Sequence, residues 1–329
     1  MGEYTHPTKL KLKGLSISTS LENSPPPIRA WFRPLLAGAV FIALAGYIWH
    51  ARHQLVVVFQ IDWRYLIPMI MVPLASLAVN GLIGRELAAQ FGVKLSPMEW
   101  YGLAVVNSLG NYLPLPQAGA MARGMYLKRV HSFPYLTYTA TLVVTYVSAI
   151  ALYGVLGLIG LVTLSMLGRP SPIFLWIIFA MLTGSLALFT PLSRFLPVPR
   201  RMADLRIHLQ SLRRQHLLLR IILLQMLLVA LTTTGLWLAC HTLPNGNAVN
   251  WPVALMLGLM ILASGIVNVT PGNVGIEQGM AELSARVLHI APNVGFLGSA
   301  LFRAVAVVTI LAIGPLFTTA LAKRQAAGH

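Results

Sequence analysis

The sequence is poor in cysteine and in charged side chains. Cys240 is the only cysteine among 329 residues, which excludes an internal disulfide and a cysteine-based metal cluster. Only 10% of the residues are charged, and just eight residues are acidic, whereas a soluble globular protein is usually about 25% charged. This shortage of charge excludes an ordinary soluble domain.

Catalytic motifs are also missing from the sequence. The nine histidines form no HExxH pair or other close group of metal ligands, and there is no GxSxG turn, Walker loop or GxGxxG turn after a strand. The sequence therefore predicts no catalytic residue, no metal site and no cofactor, and we do not expect an enzyme.

Hydrophobic residues, in contrast, make up 57% of the chain, and the mean hydropathy is +0.73. A membrane-spanning helix needs about 20 predominantly apolar residues. Six apolar runs are near or above this length: 35–50, 65–83, 135–166, 172–191, 217–240 and 297–320. They predict an all-α polytopic membrane protein whose single integral membrane domain covers residues 35–324.

Two further apolar stretches, 97–129 and 252–290, are interrupted by proline and glycine. The interruptions are Pro114, Pro116 and Gly119 in the first stretch, and Pro271, Gly272 and Gly275 in the second. Proline removes a backbone donor and glycine permits a tight reversal, so each stretch is predicted to form a re-entrant hairpin whose second helix begins near Ala120 or Ile276. Free N–H groups at these helix starts favour an anion. The alternative is a pair of unrelated proline-kinked helices.

The basic residues predict an orientation. The formal net charge is +16, and lysine and arginine favour the cytoplasmic side of a membrane protein. A basic, disordered and uncleaved tail at 1–34, a basic connector at 192–216 and a short tail at 325–329 are therefore expected in the cytoplasm, whereas the uncharged loop from His241 to Trp251 is expected outside. The two halves, 35–191 and 217–324, then form an inverted repeat whose hairpins enter from opposite sides of the inner (plasma) membrane.

Charged and amide side chains near the breaks are the candidate site residues. Arg123, Glu277 and Arg303 fall within apolar stretches, where a charge is costly and marks a pathway or a paired site. They either bind an anionic headgroup or neutralise one another as a structural lock, and snorkelling is a further alternative. Asn107 and Asn268 either contact a ligand or join helices through hydrogen bonds.

At these two hairpins the chain resembles the lysylphosphatidylglycerol synthase transmembrane (flippase-region) family. The matching residues are Asn107-x6-Pro114 with Ala118-Gly119-x3-Arg123-x3-Leu127-Lys128-Arg129, and Thr270-Pro271-Gly272-x2-Gly275-x-Glu277 followed by Arg303. Gln117 and Asn273 stand where members often carry glycine. The resemblance implies that Thr270 joins the substrate-binding residues, and we expect a stand-alone member without the soluble synthase domain.

What the resemblance implies is movement of an anionic phospholipid or lipid-linked carrier between the leaflets of the membrane. Two alternatives remain at this point. One is a membrane enzyme that acts on lipid phosphates with Glu277 as a base, and the other is a non-transporting partner of a glycosyltransferase or lipid-synthesising enzyme. Membrane lipids, and one of those enzymes, are the expected partners, and nucleic acid is not.

Overall fold

The described part of the chain is all α-helical. The computed structural model describes residues 62–113, 117–169, 171–185, 215–265, 273 and 275–327. Within these ranges there are nine α-helices, one short 3-10 turn (Gly246–Ala248) and no strand. The helices are α1 (Trp63–Ala89), α2 (Pro97–Gly110), α3 (Ala118–His131), α4 (Tyr135–Met166), α5 (Ile173–Gly184), α6 (Gln215–His241), α7 (Trp251–Ser264), α8 (Ile276–Val287) and α9 (Pro292–Ala327).

Four of these helices are long and apolar enough to cross a membrane, so the chain is a multi-pass membrane protein. They cover Trp63–Ala89, Tyr135–Met166, His216–His241 and Pro292–Gln325, and they confirm the predicted spans at 65–83, 135–166, 217–240 and 297–320 as helices. The span predicted at 172–191 corresponds to α5, whose 12 residues cover only about 18 Å; the rest of that span, the span at 35–50 and the connector lie outside the described residues.

Local capping explains where several helices begin. Asp62 accepts a hydrogen bond from the Arg64 backbone N–H at 3.0 Å and starts α1. At the start of α2, the Ser96 backbone N–H donates to the Glu99 carboxylate at 2.8 Å, which pairs a backbone donor that the helix itself leaves open. Asn250 caps α7 by accepting from the Val253 backbone N–H at 3.2 Å.

Both interrupted stretches break into two helices, as the sequence predicts. The first stretch gives α2 and α3, and the second gives α7 and α8; in each case the two helices pack against each other. α3 begins at Ala118, close to the predicted Ala120, and α8 begins at the predicted Ile276. A Cβ on Gly119 would overlap the Asn107 carbonyl, so glycine is what lets the two helices of the first pair meet. Pro114, Pro116, Pro271 and Gly272 lie outside the described residues.

The helices repeat in order, in length and in contact. A long helix, a short pair and a second long helix occur twice: α1 to α4 have 27, 14, 14 and 32 residues, and α6 to α9 have 27, 14, 12 and 36. α2 packs on α9 and its counterpart α7 packs on α4; likewise α1 contacts α9 and α6 contacts α4, while α1 and α6 contact each other. These reciprocal contacts are those that a two-fold relation between the halves requires.

The two short pairs lie against opposite ends of α9. At its C-terminal end, Arg324 donates to the Ser96 hydroxyl of α2's first turn at 2.7 Å. At its N-terminal end, Gly295 packs against Ala281 and Ala285 in the second half of α8. Gly295 and Arg324 are 29 residues apart within one helix, which is about 44 Å.

The largest buried cluster joins α4, α5, α6 and α7. Phe179 of α5 and Leu236 of α6 are fully buried in it, together with Leu257 of α7. The Phe179 ring lies directly against Gly157 of α4, where a Cβ would overlap it. Small residues allow close helix packing inside a membrane, where lipid offers no hydrophobic drive for association.

Candidate functional site

A cavity with an ion pair and several polar side chains in its wall lies against residues 299–310 of α9, where the inner ends of α2, α7 and α8 meet. Its volume is about 320 Å³, and we call it the central cavity. Its walls come from four helices and from two residues next to the second break: Ser108, Asn111 and Tyr112 at the end of α2; Thr232 and Leu236 of α6; Ile261, Leu262 and Gly265 at the end of α7; Asn273 and Glu277; and Ser299, Phe302, Arg303, Ala306 and Ile310 of α9.

An ion pair between Glu277 and Arg303 forms one wall of this cavity. Arg303 Nη1 lies 2.5 Å from Glu277 Oε2, and Arg303 is only 8% exposed. Glu277 stands in the first turn of α8, which follows Gly275 at a left-handed φ of 84°. The Glu277 carboxylate therefore already balances the partial positive charge of this helix start. We had expected an anionic ligand to do so.

Asn273 orients the Glu277 carboxylate. Its side chain hydrogen-bonds to Glu277, while its Oδ1 is buried and has no hydrogen-bond partner in the described part of the chain. Asn273 adopts a left-handed φ of 57°, and Gln117, at the start of α3, adopts 59°. These are the two positions where the family that the chain resembles often carries glycine, and a left-handed backbone explains that preference.

The polar residues of α2 were only partly anticipated. Asn107, which we expected either to contact a ligand or to join helices, has its backbone carbonyl against Gly119, and the residues of α2 that line the cavity are Ser108 and Asn111. With Tyr112 they recur at i, i+3 and i+4, which puts them on one helix face. That spacing of polar residues in an apolar stretch was the signal that could have identified them.

Arg123 does not join the ion pair. It lines a second cavity of about 60 Å³ together with Asn80 and Gly84 of α1 and Tyr138 and Thr145 of α4. Of the three charges, Glu277 and Arg303 pair with each other, which is the arrangement that the alternative of mutual neutralisation describes, whereas Arg123 faces α1 and α4. Asn268 and Thr270 lie outside the described residues.

Glu86, Glu99 and Glu282 form further ion pairs away from the central cavity, and Glu86 contacts Arg220 of α6 at 3.2 Å. Glu99 of α2 accepts from the Tyr126 hydroxyl at 3.1 Å and contacts His131 Nε2 at the same distance, so it ties the start of α2 to the end of α3. Glu282 pairs with Arg286 within α8 at 2.6 Å, as their i, i+4 spacing predicts. Over the ranges that the structure describes, no three His, Cys, Asp or Glu side chains come together as metal ligands.

Most of the chain matches the model of a known protein family. The family model described as the lysylphosphatidylglycerol synthase TM region matches residues 31–314, which is most of the chain and includes the central cavity and Arg123. No curated protein matches the chain.

Proposed function

The chain belongs to the lysylphosphatidylglycerol synthase transmembrane-region family, and from this premise we propose that it is a lipid translocase. Its substrate is an anionic phospholipid or a lipid-linked carrier, which it moves between the leaflets of the inner membrane. The lipid headgroup passes through the central cavity while the acyl chains stay in the bilayer.

The observation that carries this proposal is the Glu277–Arg303 pair in the wall of a cavity at bilayer depth. Arg303 lies 21 residues from Arg324 and eight from Gly295 in the same helix, or about 32 Å and 12 Å along its axis. With its headgroups, a bilayer is about 40–45 Å thick. A charge at such depth is costly and is retained where a polar substrate or ion must pass.

The pair also suggests how an anionic headgroup is received. A phosphate oxygen competes with the Glu277 carboxylate for the Arg303 guanidinium, which can bind either group through two parallel hydrogen bonds. When the headgroup leaves, Glu277 takes its place again, so Arg303 is never left without an anion. This exchange keeps the Arg303 charge paired in both states, while Glu277 keeps its hydrogen bond to Asn273 when the headgroup is bound. Because the sequence has no Walker loop, we expect movement that is passive or driven by a gradient.

The position of the helix pairs supports an inverted arrangement of two re-entrant hairpins. The outer ends of the two pairs contact opposite ends of α9, and their inner ends meet at the central cavity. Broken helices that enter from opposite sides and meet near the midplane are the recurring design of secondary transporters. In this topology both termini are cytoplasmic.

The test is leaflet exchange of labelled lipids in proteoliposomes. We expect the purified chain to exchange fluorescent phosphatidylglycerol faster than empty vesicles do, and the Glu277→Gln/Arg303→Gln double variant to lose at least tenfold of that rate. The matched control is Glu282→Gln/Arg286→Gln, which removes a more exposed pair from the same helix and leaves exchange unchanged. Exchange no faster than in empty vesicles, for anionic phospholipids and polyprenyl phosphates alike, contradicts the proposal.

The same preparation separates the two alternatives. A membrane enzyme that acts on lipid phosphates releases a product during incubation with them, and thin-layer chromatography detects it. A non-transporting partner of a glycosyltransferase or lipid-synthesising enzyme instead shows neither exchange nor product, and the Glu277→Gln/Arg303→Gln variant then supports growth as the wild type does.

A further inference from the structure

We propose that Arg123 and an apolar groove between α3 and α4 form a second lipid site, separate from the central cavity. The site takes the phosphate of an anionic phospholipid on Arg123 and one of its acyl chains in the groove. This inference rests on the proposed lipid-handling function, and it locates where the first half of the chain holds its substrate.

The first argument is that Arg123 has no acidic partner among the residues that the structure describes. Its Nε is buried without a hydrogen-bond partner there, although the guanidinium stays protonated at all ordinary pH. Of the eight acidic residues, Glu3, Glu22 and Asp204 lie outside the described ranges. The other five are engaged elsewhere: Asp62 caps α1, and Glu86, Glu99, Glu277 and Glu282 contact Arg220, His131, Arg303 and Arg286.

The second argument is the space around Arg123. Gly84 lies directly beside the guanidinium, so that any Cβ there would overlap it. The adjoining cavity of about 60 Å³ has room for roughly four to six water-sized groups, which is the size of a phosphate. Asn80 and Thr145 add polar groups to its wall. A buried cation beside a cavity of this size is completed by a small anionic group.

The third argument is the groove, which is apolar and lies on the outer side of the same two helices. Its volume is about 570 Å³, and its lining is Gln117, Ala120, Met121, Gly124 and Met125 of the α3 region with Tyr135, Tyr138, Thr139, Leu142, Val143 and Tyr146 of α4. Met121 is 62% exposed. An apolar groove lined by exposed residues fits a hydrocarbon chain, and the nearby cation selects a lipid that carries a phosphate.

Tyr138 joins the two spaces. It lines both the Arg123 cavity and the groove, its ring packs against Gly124, and its hydroxyl donates to the Ala120 carbonyl at 2.9 Å. A lipid with its phosphate on Arg123 therefore needs to pass only the edge of this ring to place an acyl chain in the groove. In the proposed site, Tyr138 therefore stands between the phosphate of the lipid and its acyl chain.

The Arg123 site and the central cavity lie at different depths. Arg123 is eight residues from His131, or about 12 Å along α3, and His131 contacts Glu99, which lies 3.7 Å from Arg324 at the end of α9. Arg303 is about 32 Å from that end of α9. Measured along the two helix axes, the arginines are therefore separated by up to about 20 Å, so that one headgroup does not occupy both sites.

Photo-crosslinking tests the site. The full-length chain in nanodiscs is incubated with phosphatidylglycerol that carries a photoreactive group on one acyl chain, and the labelled peptides are mapped by mass spectrometry. We expect label on α3 and α4 residues of the groove. Arg123→Gln should reduce this labelling at least tenfold, because a charge-assisted hydrogen bond contributes about 1.5–3 kcal/mol, whereas Arg123→Lys should keep part of it.

Matched variants separate a specific loss from misfolding. Val143→Trp fills the groove without touching Arg123 and should abolish the label, while Val162→Trp changes an equally exposed valine of α4 outside the groove and should not. Arg286→Gln, an exposed arginine of α8, should label as the wild type does. Each variant is compared at equal yield of monodisperse protein.

Several results overturn the inference. Equal groove labelling in wild type and Arg123→Gln shows that the arginine does not hold the lipid. Suppression of the label by millimolar inorganic phosphate assigns the cavity to free phosphate instead. Equal labelling by a photoreactive diacylglycerol, which has no phosphate, shows that the groove binds lipid without a phosphate on Arg123. Arg123-dependent labelling in a chain that exchanges no lipid between leaflets rejects the proposed translocation and leaves this site standing.

Discussion

At the scale of single residues, variants of the Glu277–Arg303 pair can distinguish a structural ion pair from one that acts in transport. Either single neutralisation, Glu277→Gln or Arg303→Gln, leaves one buried charge without its partner, so we expect a loss of about 3 kcal/mol of stability. The double neutral variant should recover most of that loss, because two neutral amides have no bare charge between them. Thermal unfolding in detergent compares the stability of the wild type, the two single variants and the double variant.

The control for this cycle lies one turn further along α8. Glu282 and Arg286 are also paired, but the Arg286 side chain is 63% exposed, so that neutralising either partner should cost no more than about 0.5 kcal/mol. A double variant of Glu277 and Arg303 that recovers both stability and lipid exchange makes the pair a lock alone. Recovered stability with lost exchange assigns it to transport.

Gln117 offers a second prediction at this scale, which concerns the backbone. Its φ of 59° places a Cβ-bearing residue in the left-handed region, where glycine has no steric penalty. Gln117→Gly should therefore be more stable than Gln117→Ala by about 1 kcal/mol, since both variants remove the side chain and only glycine removes the strain. Thermal unfolding of the two proteins compares them directly, and equal midpoints contradict this reading of the backbone.

At the scale of helices, close approach between α2 and α3 depends on Gly119. A Cβ there would overlap the carbonyl of Asn107, and backbone cannot move aside as a flexible side chain can. Gly119→Ala should cost about 1–3 kcal/mol and separate the inner ends of the pair. Gly279→Ala is the matched control, because nothing lies near Gly279 in α8 and alanine there should gain up to about 1 kcal/mol. Thermal unfolding should move in opposite directions for the two variants.

The sequence predicts helices and breaks better than it predicts which faces meet. Long apolar runs and proline–glycine clusters are local signals, and they locate α4 at 135–166 and the start of α8 at Ile276. Arg123 and Glu277 look alike in the sequence, since each follows a break by a few residues. Only packing separates them: the first turn of α8 faces Arg303 of α9, whereas Arg123 of α3 faces Gly84 of α1 and Tyr138 of α4. Which neighbouring helix a given face packs against depends on tertiary structure, and the spacing of residues in the sequence does not predict it.

At the scale of the whole molecule, the reciprocal contacts between the halves give the two arginines related settings. α3 and α8 are counterparts in the repeat, and each begins near the middle of the chain's long helices and carries a charge in its first turns. In the described residues, α8 carries a closed ion pair, whereas the arginine of its counterpart α3 has no acidic partner. The two helix pairs are thus similar in fold and different in charge.

Opposite entry of the two helix pairs makes a prediction about topology. Lys94, before α2, and Asn247, before α7, are both exposed, so a cysteine at either position should react readily with a maleimide. The native Cys240 is fully buried and should add little background. On intact cells, a membrane-impermeant maleimide should label Asn247→Cys, which precedes the pair that we propose enters from the outer face, and should label Lys94→Cys only after the membrane is opened. The two positions stand at corresponding points before the two helix pairs. Labelling of both from one side shows that the halves are parallel and rejects the inverted arrangement. Labelling from opposite sides requires the two pairs to enter the membrane from opposite faces.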